Sequence, residues 1–220
     1  MVSYGPPKTD IVIDIETVVN PVTSEEFTKF MEEYEPPANY KTPEAISRHK
    51  DKTEKEAGQK ILDDKRFSIG GKRMISCALG IADTIHREVR DIISWASDDT
   101  DIIAQGVVKY LNQFPAYRLI GWNHTGFDLP EVIKALTKAG IRPKSKAAKW
   151  DIIDLCNHPF RRMKMKDVAQ ALGLELMDIS AEDIGRLHAE GDWKKIQAYN
   201  EHDIFLTGMI FLAADTLFTF

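Results

Sequence analysis

The chain predicts an α/β protein: a mixed five-stranded sheet with helices on its faces and a helical insertion after the first strand. Three observations carry that expectation. Short β-branched runs bounded by turn residues open the sequence, a long charged stretch separates the first strand from the second, and helices alternate with further strands after residue 100. The 220 residues, 43% hydrophobic and 29% charged, are enough chain to bury one sizeable core. A single domain over residues 1–220 is therefore expected, its insertion at about residues 24–68.

TDIVIDI, Thr9 to Ile15, is β-branched and lies between YGPPK and Asn20-Pro21, so it reads as a buried strand. Ser24 stands where it can cap a helix with Phe27, Phe30, Met31 and Tyr34 at helical spacing, and Pro36-Pro37 breaks that helix. Thr42-Pro43-Glu44 opens a second helix through AISRHKDKTEKEAGQKILDDKRF, ended by Gly70-Gly71. Strands resume at RMISCALGI, Arg73 to Ile81, and at REVRDIISW, Arg87 to Trp95. An amphipathic helix follows from Ile102 to Phe114, then a short strand, RLIGW, from Arg118 to Trp122, and a helix from about Leu129 to Ala139. A strand at Asp151 to Leu155, a helix from Met165 to Leu172 and a long helix from Asp192 towards the C terminus complete the series. Neither an internal repeat nor a low-complexity segment interrupts it.

Formal net charge is -5, which argues against a generic nucleic-acid binder with a basic surface. Cys77 and Cys156 lie far apart and show no CxxC or Cys/His spacing, so no disulfide framework is expected. No charged-then-apolar leader opens the chain, and IFLTGMIFLAA, Ile204 to Ala214, is too short to span a bilayer and reads as a core helix. The expected setting is cytoplasmic and reducing, with no membrane association.

Three stretches carry candidate chemistry. In VIDIET, Asp14 and Glu16 are two apart on a strand, so they project to one face with Val12 while Ile11, Ile13 and Ile15 point the other way. Two ionised carboxylates beside an apolar sheet repel and are poorly solvated, which raises their pKa unless a cation neutralises them. A divalent metal resolves that tension. Taken alone, the pair also fits a strand end with Glu16 exposed and Asp14 bonded to a loop. In GWNHTGFDLP, Gly121 to Pro130, Asp128 suits a helix N-cap of the form D-x-x-E with proline in the first turn. Its functional reading adds Asn123 and Phe127, at a strand's carboxyl end where ligands meet α/β sheets. In QAYNEHD, Gln197 to Asp203, Tyr199 and Asp203 are i and i+4 and share one helix face.

In this order the stretches resemble the DEDD superfamily of 3′-5′ exonucleases, the DnaQ-like branch of the RNase H-like fold, in its tyrosine-bearing (DEDDy) subgroup. Asp14 and Glu16 match the first motif, Asn123 to Asp128 the second, and Tyr199 to Asp203 the third. The histidine-bearing subgroup places His five residues before the last Asp, where this chain has Ala198. The wider run, including KRMISCALGI and GDWKKIQAYNEHD, looks most like stand-alone exonucleases related to the proofreading domain of family B DNA polymerases. The resemblance covers almost the whole chain, although Ser24 to Ser68 is longer than the common connection, and 220 residues leave no room for a polymerase palm or fingers.

The resemblance implies hydrolysis of phosphodiester bonds from a 3′ end by two divalent cations, with release of 5′-mononucleotides. All-carboxylate ligation suits Mg²⁺ or Mn²⁺ better than Zn²⁺. By motif matching, Asp14 bridges both ions, Glu16 and Asp203 help hold the first, and Asp128 holds the second. Tyr199, with an ordinary pKa of about 10, is a poor base at neutral pH and is cast as orienting the attacking water. Thr17 and Asn123 are candidates to contact the terminal nucleotide, and Phe127 to support or stack on a base. His124 and His202 lie beside motif residues but not at catalytic spacing, which suggests substrate or surface contact, and Asp151 and Asp154 read as structural. The basic segments Lys144 to Lys149 and Arg161 to Lys166 track phosphates on one reading and are solvated runs on another. The insertion either overhangs the cleft to guide single strands or is a peripheral decoration. Single-stranded or frayed DNA is the implied partner. The rivals are an exoribonuclease and a catalytically silent nuclease-like subunit that binds nucleic acid.

Overall fold

A computed structural model describes residues 8–67, 71–144, 152–155, 160 and 163–216. Strands β1 (Thr9–Val19), β2 (Lys72–Asp83), β3 (Glu88–Ala96), β4 (Tyr117–Gly121) and β5 (Ile152–Asp154) form one five-stranded sheet in the order β3-β2-β1-β4-β5. The sheet is mixed: β2 and β3 are antiparallel, whereas β1 with β4 and β4 with β5 are parallel. Pairing of β1 with β4 runs from Thr9–Tyr117 to Val12–Ile120. Asp14 and Glu16 therefore lie on β1 beyond the stretch paired with β4, at the carboxyl end of the parallel strands.

The strand alternation holds. Ile11, Ile13 and Ile15 pack with Ile103 and Val107 of α3 (Thr100–Leu111) and Val132 and Ala135 of α4 (Asp128–Lys138). Val12 joins the opposite core, with Val168 and Ala169 of α5 (Met165–Ala171) and Ile204, Ile210 and Phe211 of α7 (Trp193–Asp215). The helix caps are local. Asp99 accepts from the Asp101 N–H at the start of α3, and Asp192 from the Lys195 N–H at the start of α7.

One helix lies outside the sequence expectation. Following a 3-10 turn at Ala181–Asp183, α6 (Ile184–Glu190) has only Ile184 and Leu187 buried, too few apolar positions to announce a period. It ends at Gly191, whose φ of 70° is the left-handed C-cap conformation that glycine adopts without strain.

Contacts gather the chain into two compact units, one formed by residues up to Val18 and from Met74 onward, the other by Val19–Arg73. The second unit contains the expected insertion as α1 (Ser24–Glu32) and α2 (Pro43–Phe67). The cap of α1 is Thr23 rather than Ser24: the Thr23 hydroxyl accepts from the Glu26 N–H at 3.2 Å, and the Glu26 carboxylate accepts from the Thr23 N–H at 2.8 Å. A capping box needs its acid three positions on, and Glu26 supplies it to residue 23. Thr42 caps α2 as expected, accepting from the Ala45 N–H. Lys65 joins the ends of this unit, donating to the Pro21 carbonyl and the Glu26 carboxylate, each at 2.7 Å. Among the described residues no helix is long and apolar enough to cross a membrane.

Candidate metal centre

Two separated elements supply the core of the site. The carboxylates of Asp14 and Glu16 on β1 and of Asp203 on α7 each offer a ligand oxygen, all within 4.8 Å of one another. Strand alternation presents the first two side by side, and the middle of a buried helix presents the third. Tyr199 lies one helical turn before Asp203 and is 4% exposed, so both share the face that meets the sheet.

Asp128 approaches from a third element. It is 4% exposed and close enough to Asp14 and Glu16 for its charge to raise both, although it stands outside the three-acid cluster. Taken alone, its sequence context suited a helix cap as well as a metal ligand, and the structure removes the cap reading. Phe127 is the N-cap of α4, without a side-chain bond, and Asp128 is the first helical residue. The carboxyl-terminal partner of the expected motif, Glu131, pairs instead with Lys134.

Asp154 does the holding that a cap would have done. Its carboxylate accepts from the Asn123 N–H at 2.9 Å, the Thr125 N–H at 3.1 Å and the Thr125 hydroxyl. These bonds fix a turn in which Asn123 sits at φ 57°, a left-handed conformation that Asn tolerates better than most residues. Gly121 is required at the turn's entry, because a Cβ there would meet the His124 ring at 2.6 Å. His124 is completely buried, which corrects its expected surface or substrate role, and burial lowers its pKa to about 4. The structural reading of Asp154 holds; Asp151 lies outside the described residues.

Electrostatics mark the acids as a strained set. Burial raises the Asp14 carboxyl well above its usual range, followed by repulsion from Asp128, Glu16 and Asp203, while the Asn200 hydrogen bond opposes the rise. Burial also raises Glu16, helped by Asp203 and Asp128 and opposed by Lys166. Asp203 is pushed up to about 6 by burial, against the Tyr199 hydroxyl and the charges of Lys166 and His202. Asp128 is pushed up to about 8 by burial and by Asp154. The Tyr199 phenol rises well above its usual value, chiefly by burial and then by the Asp203 charge, so it remains a hydrogen-bond donor. Lys166, whose Nζ lies 5.8 Å from the Tyr199 ring centroid, is, among the described residues of the Arg161–Lys166 segment, a cation that faces the acids. Arg161, Arg162 and residues 145–149 lie outside the described residues.

The softer candidates disperse. Phe127 packs against the core cluster that contains Ile11 and Val132. Asn123 is exposed at the turn, and Thr17, half-buried, alternates to the face of β1 opposite Asp14 and Glu16. Sequence reading missed Asn200, whose Nδ2 donates to Asp14 Oδ2 at 2.6 Å; the only signal was an amide beside Tyr199 on a buried helix.

The architecture and the position of these acids define an α/β protein of the RNase H-like fold, with its candidate centre at the end of the central strand. Among solved structures, the chain is similar to the family B DNA polymerase from the hyperthermophilic archaeon Pyrobaculum calidifontis, at a TM-score of 0.56 and 12% identity over 99% of this chain and 25% of that one. The chain thus spans about a quarter of that polymerase's length, and the likeness is one of fold. No family model and no curated protein matches the chain.

Proposed function

We propose that this protein is a metal-dependent 3′-5′ exonuclease that hydrolyses phosphodiester bonds from the 3′ end of single-stranded or frayed DNA and releases 5′-mononucleotides. The observation that carries the reading is the convergence of Asp14, Glu16 and Asp203 ligand atoms within 4.8 Å. A binder of nucleic acid has no use for buried carboxylates that repel one another. A hard divalent cation does, and an all-oxygen donor set fits Mg²⁺ or Mn²⁺.

On this reading Asp14, Glu16 and Asp203 would hold one ion, and Asp14 with Asp128 a second. Such ions would supply an activated water, neutralisation of the phosphate's growing negative charge and help for the departing 3′ oxygen. The protein's own groups set the geometry. Tyr199, kept protonated by its burial, donates a hydrogen bond that orients the attacking water and does not remove its proton. Asn123, exposed on the turn, is a proposed contact for the terminal nucleotide, and Phe127 supports that turn from the core side; Thr17, on the face of β1 opposite Asp14 and Glu16, drops out of that role.

The test is incubation of the purified chain with end-labelled single-stranded DNA, duplex DNA and RNA, in Mg²⁺, Mn²⁺ or EDTA. Single-stranded DNA should shorten from its 3′ end only with metal. Preferential loss of RNA would move the assignment to an exoribonuclease, and intact polymers in every lane would leave a silent nuclease-like subunit.

A further inference from the structure

Asn200 is wholly buried on α7, between the two residues of the third motif, and has a partner at each end of its amide. Its Nδ2 donates to Asp14 Oδ2 at 2.6 Å, and its Oδ1 accepts from the Ser76 hydroxyl at 2.8 Å. Ser76 is itself completely buried on β2. The orientation of the amide follows from donor inventory. An Asp14 ionised as a metal ligand only accepts, so in that state the NH₂ end faces Asp14, and the oxygen is left for a donor, which the Ser76 hydroxyl provides. Turning the amide over would set oxygen against carboxylate and lose that bond. Three elements, β2, α7 and β1, thus hold one side chain in one orientation.

Packing alone does not call for this arrangement. Other buried positions of α7, Ile196, Ile204, Leu206 and Ile210, are aliphatic, whereas Asn200 stands with the polar Tyr199 and Asp203, and a leucine would have the same branching with methyl groups in place of the amide oxygen and nitrogen. A buried amide costs free energy unless every polar atom finds a partner, and here the partner is the first acid of the site. With Oδ2 held by Asn200, the Asp14 carboxylate still offers an oxygen to the cluster with Glu16 and Asp203.

We infer that Asn200, fixed by Ser76, is a positioning residue for the metal centre: it aims the Asp14 carboxylate at the ions that Asp14 shares with its neighbours. The inference rests on the proposed metal-dependent activity. Residues that orient a metal ligand from behind are typically worth 10- to 100-fold in metal affinity or activity.

The experiment measures Mn²⁺ binding to the protein alone, by electron paramagnetic resonance of the free ion, for the parent, Asn200→Leu, Ser76→Ala and Ile196→Val. Circular dichroism establishes that each is folded at the temperature used. Asn200→Leu should weaken Mn²⁺ binding by about tenfold or more, and Ser76→Ala by less, in the same direction. Ile196→Val, a methylene removed from the same helix, should lower the melting temperature and leave Mn²⁺ affinity unchanged. Exonuclease assays should show the same order, with a lower kcat in Asn200→Leu even at saturating Mn²⁺. If folded Asn200→Leu binds Mn²⁺ as the parent does and loses only melting temperature, as Ile196→Val does, the inference is overturned. Should Asn200→Leu fail to fold, an unchanged Mn²⁺ affinity in Ser76→Ala overturns it equally. A parent that binds no Mn²⁺ would instead sink the metal-dependent reading and this inference with it, so the two failures are distinct.

Discussion

Strand β1 carries acids on the same face at both ends and treats them in opposite ways. Near its start, Asp10 lies directly across from Arg118 in the β1–β4 register, and the guanidinium grips both carboxylate oxygens, Nε to Oδ1 at 2.6 Å and Nη2 to Oδ2 at 2.9 Å. Two and three positions on along that face, Asp14 and Glu16 meet Asp203 and the charge of Asp128. The fold can neutralise a buried carboxylate on this strand, and at the first end it does so with a planar, bidentate partner. At the second end it concentrates like charge. Stability alone would not select that second arrangement, and the proposed cation would offset its repulsion.

The widest separation between the two ends should appear with Asp14→Ala. Loss of the acid common to both proposed ion positions removes several kcal/mol of transition-state stabilisation, about a thousandfold in kcat/KM. In EDTA the same variant should melt close to the parent, because the relief of repulsion that burial makes costly is offset by the Asn200 amide left without its partner. Activity within tenfold of the parent would refute the assignment of Asp14.

Arg118→Ala should do the reverse. It leaves Asp10 buried without its bidentate partner, at a cost of about 2–3 kcal/mol, less than for a fully buried pair because the Arg118 side chain keeps 22% exposure. Denaturant midpoints measure that loss, and exonuclease activity below the unfolding transition should persist. A variant that lost activity without losing stability would place Arg118 in the wrong half of the comparison.

The sheet was legible because its signals are local. The alternation of Ile11, Ile13 and Ile15 against Val12 and Asp14 told which residues share a face, and the structure packs the two sets into separate cores. The long helix from Asp192 was equally plain, with its aspartate cap and apolar run. What escaped depends on pairs distant in sequence. Asp128 looked like a cap because D-x-x-E is a local pattern, whereas its turn is held by Asp154, 26 positions later, through backbone N–H groups that no sequence pattern displays. Asn200 escaped for the same reason: its partners, Ser76 and Asp14, are 124 and 186 residues away. Three of the expected metal ligands do converge, so the acids were readable as a set while their supports were not.

Tyr199→Phe tests the site without touching its charge. The phenol is a donor beside Asp203, and its removal should cost about tenfold in kcat through a less ordered attacking water. Mn²⁺ affinity should stay near that of the parent, since no proposed ligand is altered. Lost Mn²⁺ binding in a folded Tyr199→Phe protein would make the residue a support for Asp203 instead.

The smallest effect, and the one that speaks most directly to the contrast along β1, is in the pH dependence of stability. In the folded, metal-free protein Asp203 titrates at about 6 and Asp128 at about 8, against about 4 for carboxyls in an unfolded chain. Between those limits the unfolded state has released protons that the folded state retains, so the slope of unfolding free energy with pH is negative. The contribution of these groups is fully present below about pH 4 and is lost as pH rises through about 6 and then about 8. Asp128→Asn removes the upper part of that loss. In EDTA its melting temperature should exceed the parent's by a margin that grows with pH, while Mn²⁺ should stabilise the parent most at the alkaline end, where binding to the folded state offsets the repulsion. A margin that stays flat with pH would mean that Asp128 ionises as freely as the carboxylate of an exposed residue, and the proposed second ion would lose its electrostatic motive.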